Sequence, residues 1–347
     1  MEARETFLDK LRVAATCAVV LLHTVTGVMD TTDMDLYPLE KKVFLVALDL
    51  VCWCVPVFLL ISGYLFLNPA RKISAGKMLW KYCRRIVLAL FLFGVPYAWM
   101  EEIAREGSFS AGMLGKGFVM VIQGRSWSHM WYLYLILLLY LITPALRWML
   151  ARIPRGALYG LLGLLFFGSG ILPFAAKLSG REPGIMLPDD GIYLFYYLCG
   201  HLFALKRGEI PASGKTGGRL PALGALLLAA GMAVSRLPGT YTVQMAYNYP
   251  FTVVLSLLLF GWAMGAGISG QRPGRINFPW EKTAVLSFAI YLVHPVFLNI
   301  AYKLFHVTPL SFPVGISLPL FFLGTLLLSA GAAWVLQKIA PLRKYVL

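Results

Sequence analysis

The stretch Val13–Met29, VAATCAVVLLHTVTGVM, contains no Asp, Glu, Lys or Arg. An apolar helix of about 17–25 residues is what a chain needs to cross a bilayer. This pattern predicts an all-α polytopic membrane protein, because similar uncharged runs recur along the whole chain. The other uncharged runs are residues 50–70, 86–100, 126–146, 156–176, 191–205, 220–235, 237–271, 283–302 and 304–337.

The composition of the 347 residues agrees with a chain that lies mostly in lipid. Only 14% of the residues are charged, 59% are hydrophobic and the mean hydropathy is +0.72. A disordered chain has the opposite composition, with low hydrophobicity and many charges. A soluble globular domain has about 25% charged residues. Both classes of protein are therefore excluded.

Two of the uncharged runs are too long for a single helix, and each begins with a predicted loop. The run 237–271 starts with a polar segment, 237–250, that contains two prolines. The run 304–337 likewise starts with a loop that contains prolines. We therefore predict about ten transmembrane helices in a single domain, 1–347. The predicted bounds are 11–29, 43–67, 79–100, 129–150, 157–175, 191–205, 220–236, 250–268, 284–303 and 314–337.

The basic residues are distributed unequally between the two ends of these predicted helices. The side that holds the N-terminus carries 22 Lys and Arg and the opposite side carries 9, while the acidic residues favour the opposite side. An excess of Lys and Arg marks the cytoplasmic face, so an even number of helices puts both termini in the cytoplasm. Topology and attraction to lipid headgroups thus explain the net charge of +15. The predicted partner is the lipid bilayer, and nucleic acid is not a predicted partner.

Arg12 and His23 are ionisable residues in the first predicted helix, and such residues at membrane depth are functional candidates. They are 11 residues apart, which corresponds to about 20° more than three full turns and to about 16 Å along the axis. The two side chains therefore share one face, with Arg12 near the cytoplasmic surface and His23 deeper in the membrane. An imidazole here suits a general base, and a packing hydrogen bond to another helix is the structural alternative.

The spacing of Arg12 and His23 resembles the Arg-x10-His hallmark of integral-membrane acyltransferase family 3, of the O-acetyltransferase type. Four further segments resemble family motifs and follow in the same order along the chain, so that the resemblance covers residues 9–295. These segments are VPVFLLISGY at 55–64, KYCRR at 81–85, HMWYL at 129–133 and IYLVHP at 290–295.

The resemblance implies an enzyme that moves an acetyl or other short acyl group from cytoplasmic acyl-CoA to a hydroxyl. The acceptor would be a cell-envelope saccharide, and the location would be the bacterial inner membrane. The implied catalytic residues are His23, as the general base, with Arg12, Ser62 and Tyr64. The implied acetyl-CoA-binding residues are Lys81, Arg84, Arg85 and Trp131. No metal is expected, because the five cysteines form no ligand spacing.

Each of these assignments has a structural alternative. The basic residues of 71–85 also fit a cytoplasmic topology signal, and Trp131 also fits the aromatic belt at a membrane interface. Ser62 and Gly63 also fit close packing of two helices, for which membrane proteins use small residues. His294 precedes a proline and could bond backbone groups that the proline leaves without a partner.

The sequence leaves two questions open, namely the acid partner of His23 and the choice between an acyltransferase and a transport function. The predicted last helix contains no acidic residue, so an acid that assists His23 would have to come from elsewhere, such as Asp49, Glu101 or Glu102. The function could instead be transport of a small solute such as an amino acid, or flipping of a glycan or polyprenyl lipid. Binding of acyl-CoA at the cytoplasmic face would separate an acyltransferase from both of these.

Overall fold

The fold is helical throughout the part of the chain that can be described. The computed structural model describes residues 5–108, 110–179, 190–209, 219–237, 245–268 and 278–347. Every regular element in these segments is a helix. Eight spans are long and apolar enough to cross a membrane. The prediction of an all-α polytopic membrane protein is therefore confirmed.

The helices are numbered in chain order, and adjoining 3₁₀ or π turns are included in them. Their bounds are α1 (Thr6–Met29), α2 (Pro38–Val51), α3 (Cys54–Phe66), α4 (Ala75–Glu106), α5 (Gly112–Ile122), α6 (Ser128–Leu150), α7 (Arg155–Ser179), α8 (Gly191–Leu205), α9 (Arg219–Val234), α10 (Pro250–Ile268), α11 (Trp280–Leu304), α12 (Val314–Lys338) and α13 (Ala340–Tyr345). A short 3₁₀ turn, Met34–Leu36, precedes α2.

The ten predicted helices all have counterparts, but two of the counterparts are short. The second span, Pro38–Phe66, consists of α2 and α3 with a break after Val51. α8 has 15 residues and α9 has 16, which is less than the about 17–25 that a bilayer requires. Eight spans rather than ten therefore meet the required length among the described residues. Half of the loop predicted over 237–250 lies outside the described residues.

α1 is the central helix of the bundle. It packs against α2, α3, α10, α11 and α12, and its residues Ala15, Val20 and Val25 are fully buried. A polar side chain on the buried faces of α1 therefore meets other helices rather than lipid, and it needs a partner or a cavity there.

α3 and α8 touch through their backbones at two glycines. A Cβ atom added to Gly63 would lie 1.9 Å from Tyr197 O, and one added to Gly200 would lie 2.4 Å from Leu60 O. Small residues allow such close approach of helices in membranes. This contact fixes the position of α3 within the bundle.

Candidate active site

A cavity of about 490 Å³ lies between α1, α3, α4, α6 and α11. Arg12, Thr16 and His23 of α1 all line it, so the face that Arg12 and His23 share is turned toward this cavity. Apolar side chains such as Val20 and Leu133 also line its wall. The cavity therefore connects a guanidinium group to an imidazole through the interior of the bundle.

Three guanidinium groups line the cavity and define what we call its basic end: Arg12, Arg71 and Arg85. Arg12 Nη1 lies 3.1 Å from Asp9 Oδ1, one turn earlier on α1. Arg85 Nε donates a hydrogen bond to Val346 O at 2.8 Å. Guanidinium groups bind phosphate and carboxylate through several charge-assisted hydrogen bonds at once. The basic end is therefore suited to an anionic group with several oxygens.

Arg71 is held at the basic end by a second arginine. Arg147 of α6 donates hydrogen bonds to Phe66 O at 2.8 Å, to Asn68 O at 3.0 Å and to Arg71 O at 2.7 Å. These bonds fold the segment after α3 back toward the cavity. Arg71 was not among the implied site residues, because it lies in a turn outside the recognised motifs, where neither periodicity nor spacing predicts its direction.

The opposite, histidine end of the cavity is defined by His23 and His129, with His294 packed behind them. The His23 and His294 rings are stacked with centres 4.9 Å apart, and His23 Nδ1 lies 2.8 Å from His294 Nε2. His294 Nδ1 lies 3.0 Å from Ile290 O. The histidine pair therefore joins α1 to α11.

With both rings neutral, the contacts of this pair favour one set of tautomers. A carbonyl oxygen only accepts, so His294 Nδ1 must carry a proton toward Ile290 O. In the neutral ring, His294 Nε2 is then an acceptor, and His23 Nδ1 must donate to it. His23 Nε2 is consequently the unprotonated nitrogen. A neutral His23 in this arrangement has the basic atom that proton abstraction needs.

His129, from the first turn of α6, is the third imidazole of this region. Its ring centre lies 6.1 Å from that of His23 and 5.8 Å from that of His294. The side chain is only 3% exposed, and neither ring nitrogen has a hydrogen-bond partner among the described residues. Tyr97 packs edge-on against the ring, with centres 5.0 Å apart, and the Tyr291 hydroxyl donates to the backbone carbonyl of His129.

Two of the other implied residues line the cavity and one lies outside it. Ser62 and Trp131 both line the wall. Tyr64 lies outside the lining, because its hydroxyl donates to Glu5 Oε2 at 2.8 Å, and Glu5 Oε1 pairs with Arg207 Nη1 at 2.8 Å. The Tyr64 hydroxyl thus belongs to a contact that ties the start of α1 to α3.

The three implied basic residues of α4 point in different directions, and only one of them faces the cavity. Arg85 lines the cavity. Lys81 Nζ lies 5.7 Å from the centre of the Tyr82 ring. The Arg84 guanidinium lies 5.3 Å from the centre of the Tyr345 ring. Neighbouring residues on a helix point about 100° apart, which explains why only one of the consecutive arginines faces the cavity.

The acids that the sequence offered as partners of His23 have cationic partners of their own. Their partners are Arg236 for Asp49 (2.6 Å), Lys303 for Glu101 (3.1 Å), and Arg105 and Lys116 for Glu102. The partner of His23 Nδ1 is instead a second imidazole, His294. No three His, Cys, Asp or Glu side chains of the described segments are arranged to hold a metal ion.

An aromatic cluster adjoins the histidine end. Trp131 and Tyr247 both line the cavity, and their rings are stacked with centres 6.2 Å apart. The segment that carries Tyr247 is held by two buried side chains: the Tyr196 hydroxyl donates to Tyr247 O at 2.7 Å, and Asp49 Oδ1 accepts from Met245 N at 2.6 Å. Tyr247 is therefore presented to the cavity by a fixed backbone.

Comparison with known proteins assigns the chain to a family. A family model described as an acyltransferase domain matches residues 5–338. The comparison with curated proteins and the comparison with solved structures each gave no significant match. The match covers nearly the whole chain, including both ends of the cavity and all eight candidate spans. The protein therefore belongs to acyltransferase family 3 and is a membrane acyltransferase.

Proposed function

We propose that the protein transfers an acetyl or other short acyl group from cytoplasmic acyl-CoA to a hydroxyl of a cell-envelope saccharide, in the bacterial inner membrane. One observation carries the proposal. A single cavity has three guanidinium groups at one end and, at the other, the imidazole of His23, whose Nδ1 lies 2.8 Å from His294 Nε2. Its two ends suit the two chemically different ends of an acyl-CoA.

The donor would lie along the cavity with its phosphates at the basic end. Arg12, Arg71 and Arg85 would bind them, and Lys81 and Arg84 would add positive charge where the nucleotide emerges from the cavity. The narrow pantetheine arm would follow the apolar wall. Arg12 and His23 are separated by about 16 Å along α1, a span that an extended pantetheine arm covers. The thioester would thereby reach His23.

His23 would act as the general base for the acceptor hydroxyl. Its Nε2 takes the hydroxyl proton while the oxygen attacks the thioester carbonyl carbon, and the C=O electron pair moves onto the oxygen. When the tetrahedral intermediate collapses, the C–S bond breaks and His23 returns the proton to the CoA thiolate. His294 supports this cycle, because its Nε2 accepts the Nδ1–H of His23 and stabilises the imidazolium that forms. The net result is one ester and one free thiol.

The acceptor would approach from the aromatic side of the histidine end. The cavity wall there contains Trp131, Tyr132 and Tyr247. Aromatic rings bind the apolar C–H faces of sugar rings, while the hydroxyls of a sugar remain available for hydrogen bonds. We therefore assign Trp131 to the acceptor rather than to the CoA head, which would lie at the other end.

The experiment that tests this function uses the full chain in lipid nanodiscs. With radiolabelled acetyl-CoA and an envelope-glycan extract, the wild-type protein should transfer label, and His23→Gln should lower the rate by about 10²–10⁴-fold, the usual contribution of a general base. His306→Asn is the matched control, since His306 is an exposed histidine with positive φ, a conformation that asparagine tolerates. Its rate should equal that of the wild type.

The outcomes separate the candidate functions. Full transfer by His23→Gln would contradict the role of His23 as the base. Absence of acetyl-CoA binding by the wild-type protein, together with counterflow of an amino acid in proteoliposomes, would favour the transporter instead. Movement of a labelled polyprenyl glycan between leaflets without acylation would favour the flippase.

A further inference from the structure

His129 is a buried imidazole that the proposed function has not yet used. Its side chain is 3% exposed and both ring nitrogens lack a partner among the described residues. A polar group that is buried without a hydrogen bond destabilises a folded protein, so such groups are rare and each one calls for an explanation. His129 also lines the cavity. A ligand that enters the cavity can therefore supply the missing partner.

The surroundings of His129 decide what it can offer to that ligand. A neutral imidazole has one N–H donor and one acceptor nitrogen. The nearby imidazoles are already engaged with each other, since His23 Nδ1 and His294 Nε2 are 2.8 Å apart. The rings packed against His129 from α4 and α11 are those of Tyr97 and Tyr291. Its N–H is thus a buried donor that has no partner among the described residues and is surrounded by aromatic rings.

We propose that His129 donates this N–H to the thioester carbonyl oxygen of the acyl donor and stabilises the oxyanion that develops there; this inference rests on the proposed function. His23 Nε2 removes the proton of the acceptor hydroxyl as its oxygen attacks the carbonyl carbon. The carbonyl electron pair moves onto the oxygen that His129 binds. It returns to re-form C=O when the C–S bond breaks, and the thiolate leaves with the proton from His23.

The distance between the His23 and His129 rings fits a mechanism in which His23 acts as the base and His129 binds the carbonyl oxygen. The ring centres of His23 and His129 are 6.1 Å apart, and the planes of the two rings are nearly perpendicular. The attacking oxygen and the carbonyl oxygen are bonded to the same carbon in the intermediate, so two adjacent side chains can each bind one of them. Donors that are already in place where charge develops need no rearrangement during the reaction, which is why they lower the barrier strongly.

His129 is better placed for this role than Ser62 and Tyr64, the two implied catalytic residues that have a hydroxyl group. Ser62 lies close to the hydroxyls of Tyr132 and Tyr140, which compete for its hydrogen bonds. The Tyr64 hydroxyl is bonded to Glu5. His129 is the buried cavity residue whose donor has no competing acceptor in the described segments.

The test compares two unreactive acetyl-CoA analogues and does not need the acceptor. Acetonyl-CoA has a carbonyl oxygen next to the sulfur-linked methylene, and S-propyl-CoA has the same number of carbons without that oxygen. Wild-type protein in nanodiscs should bind acetonyl-CoA about fivefold more tightly, which is the effect of one hydrogen bond of about 1 kcal/mol. His129→Phe should bind both analogues equally, with unchanged affinity for S-propyl-CoA. Phe fits among the aromatic rings, and His129→Gln, which retains an N–H, should keep part of the preference.

Turnover provides the second measurement. His129→Phe should lower kcat by about 10²–10³-fold, as expected when one donor to an oxyanion is lost, with little change in KM for acetyl-CoA. His23→Gln should lower kcat but keep the preference for acetonyl-CoA, because the base does not bind the carbonyl oxygen.

Other results would overturn the inference. A His129→Phe protein that keeps the preference for acetonyl-CoA, or that also loses affinity for S-propyl-CoA, would show that His129 does not bind the carbonyl oxygen. If thermal unfolding shows that His129→Phe does not fold, His129→Gln decides, and a full wild-type preference for acetonyl-CoA in that variant would overturn the inference. If the wild-type protein binds neither analogue, the acyl-CoA-dependent function itself fails, and that result is distinct from both others.

Discussion

At the scale of single residues, the site is organised by the pair His23 and His294. His294 is fully buried and connects the His23 imidazole to the backbone of α11 at Ile290. The second imidazole fixes the tautomer and the orientation of the first. An acidic residue often has this task beside a basic histidine, and here a neutral side chain takes that position.

The variant His294→Ala should therefore slow the enzyme without abolishing it. Loss of His294 Nε2 leaves the Nδ1–H of His23 without its acceptor, so the wrong tautomer becomes accessible. We expect kcat to fall, but by less than the about 10²–10⁴-fold expected for loss of the base itself, with KM for acetyl-CoA little changed. His294→Gln can offer an amide oxygen to His23 and should recover part of the rate. Unchanged kcat in His294→Ala would contradict the pairing.

Individual residues were predictable where the signal is local. Helical spacing placed Arg12 and His23 on one face, and both line the cavity. The partner of His23 was not predictable, because His294 is 271 residues away. The segment 55–64 pointed equally to Ser62 and Tyr64, and only the fold shows that the Tyr64 hydroxyl is bonded to Glu5.

At the scale of helices, the contact between α3 and α8 shows that neighbouring residues of the segment 55–64 have different roles. Ser62 faces the cavity, whereas Gly63 faces α8. Consecutive helical residues point about 100° apart, so the motif can serve the site with one residue and helix packing with the next. The sequence offered these as alternatives, and the structure contains both.

Gly63→Ala and Gly200→Ala should each destabilise the protein. The added methyl group would overlap backbone atoms of the other helix, and backbone cannot rotate away. Overpacking of this kind costs about 1–3 kcal/mol or more, although alanine favours a helix by up to about 1 kcal/mol over glycine. Thermal unfolding in detergent should show a lower Tm. Gly324→Ala in α12 is the control, since its Cβ would meet no atom within 4 Å; if all three variants behave alike, the contact is not as close as described.

At the scale of the whole molecule, hydropathy predicted the helices well and their environments less well. α8 was predicted from an apolar run, but it has 15 residues and is largely buried against α3. An apolar residue looks the same to hydropathy whether it faces lipid or protein. The cavity likewise had no signature in composition, because it forms between segments that are far apart in the chain.

The predicted orientation, with both termini in the cytoplasm, can be tested by labelling in intact cells. Ala75→Cys lies in an exposed position on the side of the termini, and Gly315→Cys lies at an exposed position on the opposite side. A membrane-impermeant maleimide should label Gly315→Cys directly and Ala75→Cys only after permeabilisation, because the Lys and Arg excess retains its side in the cytoplasm. The unmodified chain reports the background from the native cysteines. The reverse pattern would invert the topology and place the basic end outside.

In the proposed mechanism, the placement of Arg12 and His23 on one helix would set the length of the donor that the enzyme accepts. The rise of about 1.5 Å per residue sets how far apart the anionic and reactive groups of a donor must be. Acetyl phosphate carries both groups side by side and could occupy only one end of the cavity, whereas acyl-CoA separates them by a long arm. Donor choice would thus depend on the length of the donor as well as on its charge. Moving the arginine by one turn along α1 would change its distance from His23 by about 5.4 Å.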